Sequence, residues 1–143
     1  MHSPHGRVSY PHIFEKFAFD NTQKPAYEIS LCWPPPEEMS DKQRKLYATM
    51  MGAVEGARRE RFKNKKFGVG SVRSPFSLLT EENSKGRPIG WTSARFKSSF
   101  HKPRILDQHA DDLGDPEVIY PGCWCLVQFT PFAYDKASNK GVS

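Results

Sequence analysis

The sequence predicts a mainly β fold with one helix: an OB-fold built as a five-stranded antiparallel Greek-key barrel, with a long loop. Three observations lead to this prediction. Runs rich in aromatic and β-branched residues, which are typical of strands, recur along the chain. Twelve prolines and ten glycines favour turns and short strands over a helical bundle. One segment, residues 41–62, repeats apolar residues at helical spacing and is expected to close one end of the barrel.

Two predicted strands begin the chain, which we expect to form a single domain over residues 1–143. Residues 1–7 are expected to be a flexible polar arm. Val8–Phe19 has strand composition, and Pro11 within it indicates an edge or a bulge. Ala26–Trp33 alternates strictly, which predicts a half-buried strand. One of its faces carries Tyr27, Ile29, Leu31 and Trp33, and the other carries Glu28, Ser30 and Cys32.

The helix is predicted over Asp41–Phe62, with Ser40 and Gln43 forming a capping box at its start. The residues expected to face the core are Leu46, Met50, Ala53, Val54 and Ala57. The helix ends in a basic run of Arg58, Arg59, Arg61, Lys63, Lys65 and Lys66. This run suits the negative end of the helix dipole, and it is either a solvated terminus or an additional phosphate-binding site.

A long loop and a third strong strand follow the helix. Residues 67–90 carry many turn signals and are expected to hold little regular structure, although the loop contains the cations Arg73 and Arg87. Gly90–Phe100 is a predicted strand. One of its faces carries Trp91, Arg95 and Lys97, and the other carries Ala94, Phe96 and Phe100. A short basic extension with Lys102 and Arg104 comes next.

The stretch Val118–Ser143 is the longest β-like run in the chain, and its side chains should alternate between two faces. The apolar face is predicted to carry Cys123, Cys125, Val127, Phe129 and Ala133. The second face carries Trp124, Leu126, Gln128, Thr130 and Phe132. A face that mixes rings with polar groups is either lightly covered or suited to stacking a flat ligand. Residues 135–141 should form a polar hairpin loop. A final strand begins at Gly141 and is expected to be cut off.

Composition limits the possible functions. The net charge of +5 favours an anionic partner, nucleic acid first. No run is apolar enough to span a membrane, and the start of the chain is not a signal peptide, so we expect a soluble intracellular protein. The three cysteines, Cys32, Cys123 and Cys125, have no histidine at zinc-like spacing and are predicted to be small buried apolar residues.

Catalysis has weak support in the sequence. Asp111, Asp112 and Asp115 could imitate a two-metal nuclease site, but they share one turn-rich segment that is better explained as a solvated loop. His12 and His101 have no nucleophile at a recognisable catalytic spacing. We therefore predict that the protein is not an enzyme and has neither a cofactor nor a metal.

Cations interleaved with rings predict a surface that holds single-stranded DNA, because cations contact phosphates while rings stack on bases. The predicted DNA-binding residues are Tyr10, Phe14, Arg73, Arg87, Trp91, Arg95, Lys97, Lys102, Arg104, Trp124 and Phe132. The alternative is an OB-fold module that binds another replication protein through the same barrel. Salt separates the two, since binding to DNA releases counterions and weakens steeply as salt rises.

Several segments resemble a known family. They are S-Y-P-H-I-F-E, K-P-A-Y-E-I-S-L, K-P-R-I-L-D, V-I-Y-P-G-C-W-C and F-A-Y-D-K-A-S-N-K-G-V-S. The chain resembles the phage-encoded single-stranded-DNA-binding proteins, close to their Enterobacter phage form. The resemblance implies an OB-fold protein that coats single-stranded DNA during phage replication and recombination, in the cytoplasm of the infected host. It also implies recruitment of replication proteins by an acidic C-terminal tail, which we expect to be cut off here. We expect a monomer or weak dimer.

Overall fold

The computed structural model describes residues 1–18, 24–62, 74–114, 118–136 and 139–142, the last eight of these positions by their backbone alone. The strands are β1 (Gly6–Phe17), β2 (Ala26–Trp33), β3 (Phe76–Leu78), β4 (Thr92–Ser98), β5 (Trp124–Cys125), β6 (Ala133–Lys136) and β7 (Asn139–Val142). A 3-10 turn (Pro36–Glu38) precedes the helix α1 (Asp41–Phe62). Strands β1 to β5 form an open antiparallel sheet in the order β3-β4-β2-β1-β5, and β6 pairs with β7 in a separate hairpin.

The core lies on one face of this sheet and surrounds Trp33, which is fully buried. The Trp33 ring makes edge contacts with Tyr47 of α1, Phe76 of β3 and Phe96 of β4, at centroid distances of 6.3 to 6.5 Å. Its indole Nε1 donates a hydrogen bond to the carbonyl oxygen of Pro4 at 3.0 Å, which satisfies the only polar atom of the buried ring. One side chain of β2 thus joins the helix, three strands and the N-terminal segment.

Strand β2 is more buried than its alternation predicts. Ile29, Leu31 and Trp33 face the core as expected, but Ser30 and Cys32 on the opposite face are also buried. The physical reason is position, because β2 lies between β1 and β4 and is paired along both of its edges. Burial raises the pKa of the Cys32 thiol, and this effect is opposed by nearby guanidinium groups. The prediction of a half-buried strand is therefore wrong for the second half of β2.

Strand β1 contains the bulge that Pro11 predicts. Ser9 pairs with Ser30 and His12 pairs with Glu28, so β1 has one more residue than β2 between these two pairs. Tyr10 absorbs the extra length with a φ of 50°. Because a bulge reverses the alternation, Val8 and Ile13 both point into the core although they are an odd number of residues apart.

The stretch after residue 118 keeps its predicted alternation but loses most of its predicted strand. Between residues 118 and 132 only Trp124 and Cys125 pair as a strand, with β1, and further along β6 pairs with β7. The apolar face nevertheless packs against the core through Cys123, Cys125, Val127 and Phe129, while the side chains between them are exposed. Burial, followed by the neighbouring Cys123, raises the pKa of Cys125 to about 12, so this thiol is neutral, as predicted for a buried apolar residue.

The first residues of the chain lie against this stretch, where the sequence led us to expect a loose arm. The Ser3 amide donates to the Val127 carbonyl oxygen at 2.8 Å, and the Phe129 amide donates to that of Met1 at 2.9 Å. Ser3 and Pro4 are fully buried. The apolar segment after residue 122 therefore completes its hydrogen bonds with the N-terminal segment instead of a longer strand.

Helix α1 has the predicted limits. The Ser40 hydroxyl accepts from the Gln43 amide at 3.3 Å, which confirms the cap, although the Gln43 side chain binds His5 and does not complete the capping box. Of its predicted core residues Met50 is buried, and the others are half-buried. The helix lies close to the β6–β7 hairpin. In the described part of the chain, no helix is apolar over the length that a bilayer requires.

Candidate nucleic-acid interface

The face of β1, β2 and β4 that points away from the core is the candidate interface, and we call it the outer face. Its side chains are Arg7, Ser9 and His12 on β1, Glu28, Ser30 and Cys32 on β2, and Ser93, Arg95 and Lys97 on β4. The register places Ser30 between Ser9 and Arg95, and Glu28 between His12 and Lys97. Small residues therefore form the floor of the outer face, and cations stand on the two flanking strands.

Strand β4 supplies the cations that the sequence predicted. Ala94 is buried and Phe96 packs in the core, so Arg95 and Lys97 are exposed on the outer face as expected. The Arg95 guanidinium lies 3.9 Å from the Glu28 carboxylate, a distance too long for a hydrogen bond, and 61% of the Arg95 side chain is exposed. Arg95 and Lys97 are accordingly available to an anionic ligand. Phe100, predicted to share a strand face with Ala94 and Phe96, lies beyond the end of β4 and is exposed.

Two tryptophan rings meet at the end of the outer face. Trp91 precedes β4 and Trp124 belongs to β5, and the two ring centroids are 6.2 Å apart with planes tilted by 50°. Trp91 is half-buried, whereas 57% of Trp124 is exposed, as the alternation predicts. Trp124 also borders a cavity of about 230 Å³ between the N-terminal segment and the start of α1. Trp91 and Trp124 thus present an aromatic surface that residues far apart in the sequence build together.

Two further predicted rings each lie beneath a cation. The guanidinium of Arg87 lies 5.3 Å from the Tyr10 ring centroid, and the Lys102 ammonium lies 5.9 Å from that of Phe14. Tyr10 is 44% exposed, while Phe14 is partly buried against the core. These distances are within the range of cation–π attraction. The pairs place positive charge next to rings, which is the arrangement that a base and its phosphate require.

The remaining predicted residues are less closely associated with the outer face. Arg104 forms an exposed ion pair with Asp112 at 3.3 Å, which partly neutralises its charge. Phe132 is 67% exposed but follows β5 on a different segment. Arg73 is outside the described residues. The structure therefore brings Tyr10, Arg87, Trp91, Arg95, Lys97 and Trp124 to one face, with Phe14 and Lys102 paired near its β1 side.

Sequence reasoning missed Arg7 and the serine floor. Arg7 pairs with both Cys32 and Trp124, which places it between β2 and the exposed tryptophan. The Ser9 hydroxyl is buried and lacks a hydrogen-bond partner, while the Arg87 guanidinium donates to the Ser93 hydroxyl at 3.1 Å. The sequence shows that residue 7 is basic. It does not show that Arg7 lies on the outer face, because that position depends on pairing with β5 near the other end of the chain.

A metal site does not emerge from the residues that the structure describes. Among them, no group of three or more histidine, cysteine or acidic side chains is close enough to hold an ion. Asp112 is occupied by Arg104, and Asp111 is exposed in a turn. Asp115 is outside the described residues.

Solved structures share the fold. The single-stranded-DNA-binding protein from bacteriophage Enc34 in complex with single-stranded DNA matches with a TM-score of 0.75 and 18% identity, over 99% of this chain and 78% of that one. A C-terminal truncation of the Enc34 protein matches with a TM-score of 0.71 and 18% identity, over the same shares of the two chains. The single-stranded-DNA-binding protein gp2.5 of bacteriophage T7 matches with a TM-score of 0.62 and 16% identity, over 99% of this chain and 84% of that one. The predicted OB-like fold is thereby confirmed.

Sequence comparison identifies the family. No curated protein matches the sequence significantly. A family model does match, described as the single-stranded-DNA-binding protein of Enterobacter phage Enc34, and the match covers residues 4–143. This is nearly the full length of the chain and agrees with the resemblance in its sequence segments. The chain belongs to the Enc34 single-stranded-DNA-binding protein family.

Proposed function

We propose that this protein binds single-stranded DNA without strong sequence preference and coats it during phage DNA replication and recombination in the host cytoplasm. The observation that carries the proposal is the outer face, where exposed cations and exposed rings flank a floor of small residues. Single-stranded-DNA binding is named for the Enc34 and T7 proteins, which share the fold. We propose as DNA contacts Tyr10, Phe14, Trp91, Arg95, Lys97, Lys102, Trp124 and, newly, Arg7.

The geometry favours a single strand over a duplex. Trp124 and Tyr10 expose ring surface, and a base can stack on a ring only when it is not covered by its neighbours in a duplex. Each stacked base contributes roughly 1–3 kcal/mol irrespective of its identity, which supports binding without sequence preference. Arg95 and Lys97 supply the phosphate contacts along the same face.

Binding without catalysis is the form of this proposal that the side chains support. Glu28 and Cys32 lie on the outer face, where Glu28 is beside Arg95 and burial raises the pKa of the Cys32 thiol. Neither is placed as a nucleophile or as a metal ligand. The proposed role therefore uses charge and ring surface alone.

A fluorescence titration tests the proposal. The protein is titrated with single-stranded DNA, duplex DNA and RNA of matched length and mixed sequence, each at several salt concentrations. We expect tryptophan quenching, tighter binding to single-stranded DNA than to duplex, and a steep loss of affinity as salt rises. Equal affinity for single strand and duplex would indicate charge attraction without stacking. Binding that salt barely changes, or no binding, would favour the protein-interaction module.

A further inference from the structure

Arg87 differs from the other cations of the interface because the protein already engages its guanidinium. Nε donates to the Ser84 carbonyl oxygen at 2.9 Å, and the two terminal nitrogens donate to the Asn83 carbonyl oxygen at 3.0 Å and the Ser93 hydroxyl at 3.1 Å. All three acceptors are neutral, so they do not offset the positive charge of the guanidinium. The three hydrogen bonds fix the orientation of the planar group. The Arg95 guanidinium, by contrast, lies 3.9 Å from the Glu28 carboxylate, which is too far for a hydrogen bond.

The turn that carries Arg87 is itself constrained. The Arg87 amide donates to the Ser84 carbonyl oxygen at 2.9 Å, and the two residues between them, Lys85 and Gly86, have φ values of 48° and 86°. The backbone thus brings Arg87 back toward Ser93 on β4, and the side chain continues over the outer face to the Tyr10 ring at 5.3 Å. The Arg87 side chain therefore links β4 with the bulge in β1.

Tyr10 requires such support. It is the extra residue of the bulge and has a φ of 50°, a conformation that non-glycine residues adopt infrequently. Its ring remains 44% exposed, and Arg87 is the cation that lies over it. A ring has two faces, so a cation against one face leaves the other available to a base.

We infer that Arg87 is a positioning residue for Tyr10: it holds the Tyr10 ring as a stacking platform and does not itself contact phosphate. This inference rests on the proposed function. It separates Arg87 from Arg95 and Lys97, which the sequence placed in the same class of DNA contact. Holding the ring in advance reduces the ordering that binding would otherwise require.

The test is a double-mutant cycle on affinity for a single-stranded oligonucleotide, measured at several salt concentrations. The variants are Tyr10→Ala, Arg87→Ala, the two together, Arg87→Lys and, as the phosphate-contact control, Arg95→Ala. We expect Tyr10→Ala to weaken binding about tenfold. Arg87→Ala should weaken it by up to the same factor, and the double variant should be no weaker than Tyr10→Ala, because both remove one platform. Thermal melts establish that each variant is folded.

Two further readouts distinguish positioning from phosphate contact. Arg87→Ala should leave the slope of log affinity against log salt unchanged, whereas Arg95→Ala should lower it by about 0.7. Arg87→Lys should resemble Arg87→Ala, because an ammonium lacks the planar fork that reaches three acceptors. Additive losses in the double variant, a slope lowered by Arg87→Ala, or full affinity with Arg87→Lys would each overturn the inference.

The free protein gives an independent measurement. The NMR signals of the Tyr10 ring should shift and broaden or average in Arg87→Ala but not in Arg95→Ala. Unchanged Tyr10 signals in Arg87→Ala would overturn the inference even if affinity falls. Failure of the wild-type protein to bind any single-stranded oligonucleotide would instead contradict the proposed function, while the NMR comparison would still decide whether Arg87 positions the ring.

Discussion

The two faces of β1, β2 and β4 are built from the same strands but differ in what their side chains contact. On the core face, Trp33 and Leu31 are completely buried and pack against rings from the helix and the neighbouring strands. On the outer face, Ser30 and Cys32 of the same strand are also buried, and the guanidinium groups of Arg7 and Arg87 lie near the Cys32 thiol. Burial alone therefore does not distinguish the core face from the proposed DNA-binding face. The two faces differ in the chemistry of the neighbouring side chains.

The comparison extends to the tryptophans. Trp33 has its Nε1 satisfied and its ring enclosed, whereas Trp124 keeps more than half of its surface exposed at 57%. A buried ring stabilises the folded protein because its apolar surface is removed from water. An exposed ring can instead stabilise a complex, because a ligand that stacks on it removes the same surface from water. If the two faces differ in this way, substitutions on the core face should lower stability, and substitutions on the outer face should lower affinity for DNA.

Trp33→Ala should lower the free energy of unfolding by about 3–5 kcal/mol, because it leaves a large cavity at the centre of the core. Urea denaturation measures this loss. Phe100→Ala serves as the control, since Phe100 is 91% exposed and its removal should change stability by less than about 0.5 kcal/mol. A loss below 1 kcal/mol for Trp33→Ala would place the centre of the core elsewhere.

Replacing Arg95 and Lys97 together with alanine should weaken binding to single-stranded DNA and lower the slope of log affinity against log salt by about one to two. Both residues are exposed on the outer face, so stability should change little. The matched control replaces Lys42 and Lys45, which are exposed on α1. If the control pair lowers the slope as much as Arg95 and Lys97 do, the outer face has no special role.

Ser9→Ala should leave stability unchanged or raise it by up to about 1 kcal/mol, because the Ser9 hydroxyl is buried without a hydrogen-bond partner. Ser93→Ala is the contrasting variant, since the Ser93 hydroxyl accepts from Arg87 and its loss should cost about 1 kcal/mol. Thermal unfolding of both variants measures the difference. A larger loss for Ser9→Ala than for Ser93→Ala would show that the floor of the outer face is bonded differently.

Local sequence patterns predicted those features that depend on neighbouring residues. The limits of α1, the two faces of β4 and the bulge at Pro11 follow from periodicity and from the chemistry of proline. The exposure of Trp124 followed from alternation even though most of the expected strand did not form. A side chain's face is set by the local backbone, whereas pairing depends on which segment arrives beside it.

The features that sequence reasoning missed depend on distant contacts. Ser3 is buried because its hydroxyl accepts from the Val127 amide, 124 residues away in the sequence. Arg7 joins the interface because β1 pairs with β5. The short strand β3 was expected to be part of a loop, since three residues give no usable period and its strand state comes from pairing with β4. Arg87 lies near Tyr10 only after the sheet has formed.

The central claim is that the outer face binds DNA and the core face folds the protein, and Trp124 and Phe129 test it most directly. They belong to one segment, but Trp124 is exposed, while Phe129 makes a ring contact with Phe96 at 5.2 Å. The measurement is a melt and a titration with a single-stranded oligonucleotide for Trp124→Ala and Phe129→Ala. We predict that Trp124→Ala melts near the wild-type temperature and loses roughly 1–3 kcal/mol of affinity. Phe129→Ala should melt well below it and bind normally at temperatures where it is folded. The reverse outcome, in which Trp124→Ala unfolds while Phe129→Ala stays folded and loses DNA, would contradict the assignment of the two faces.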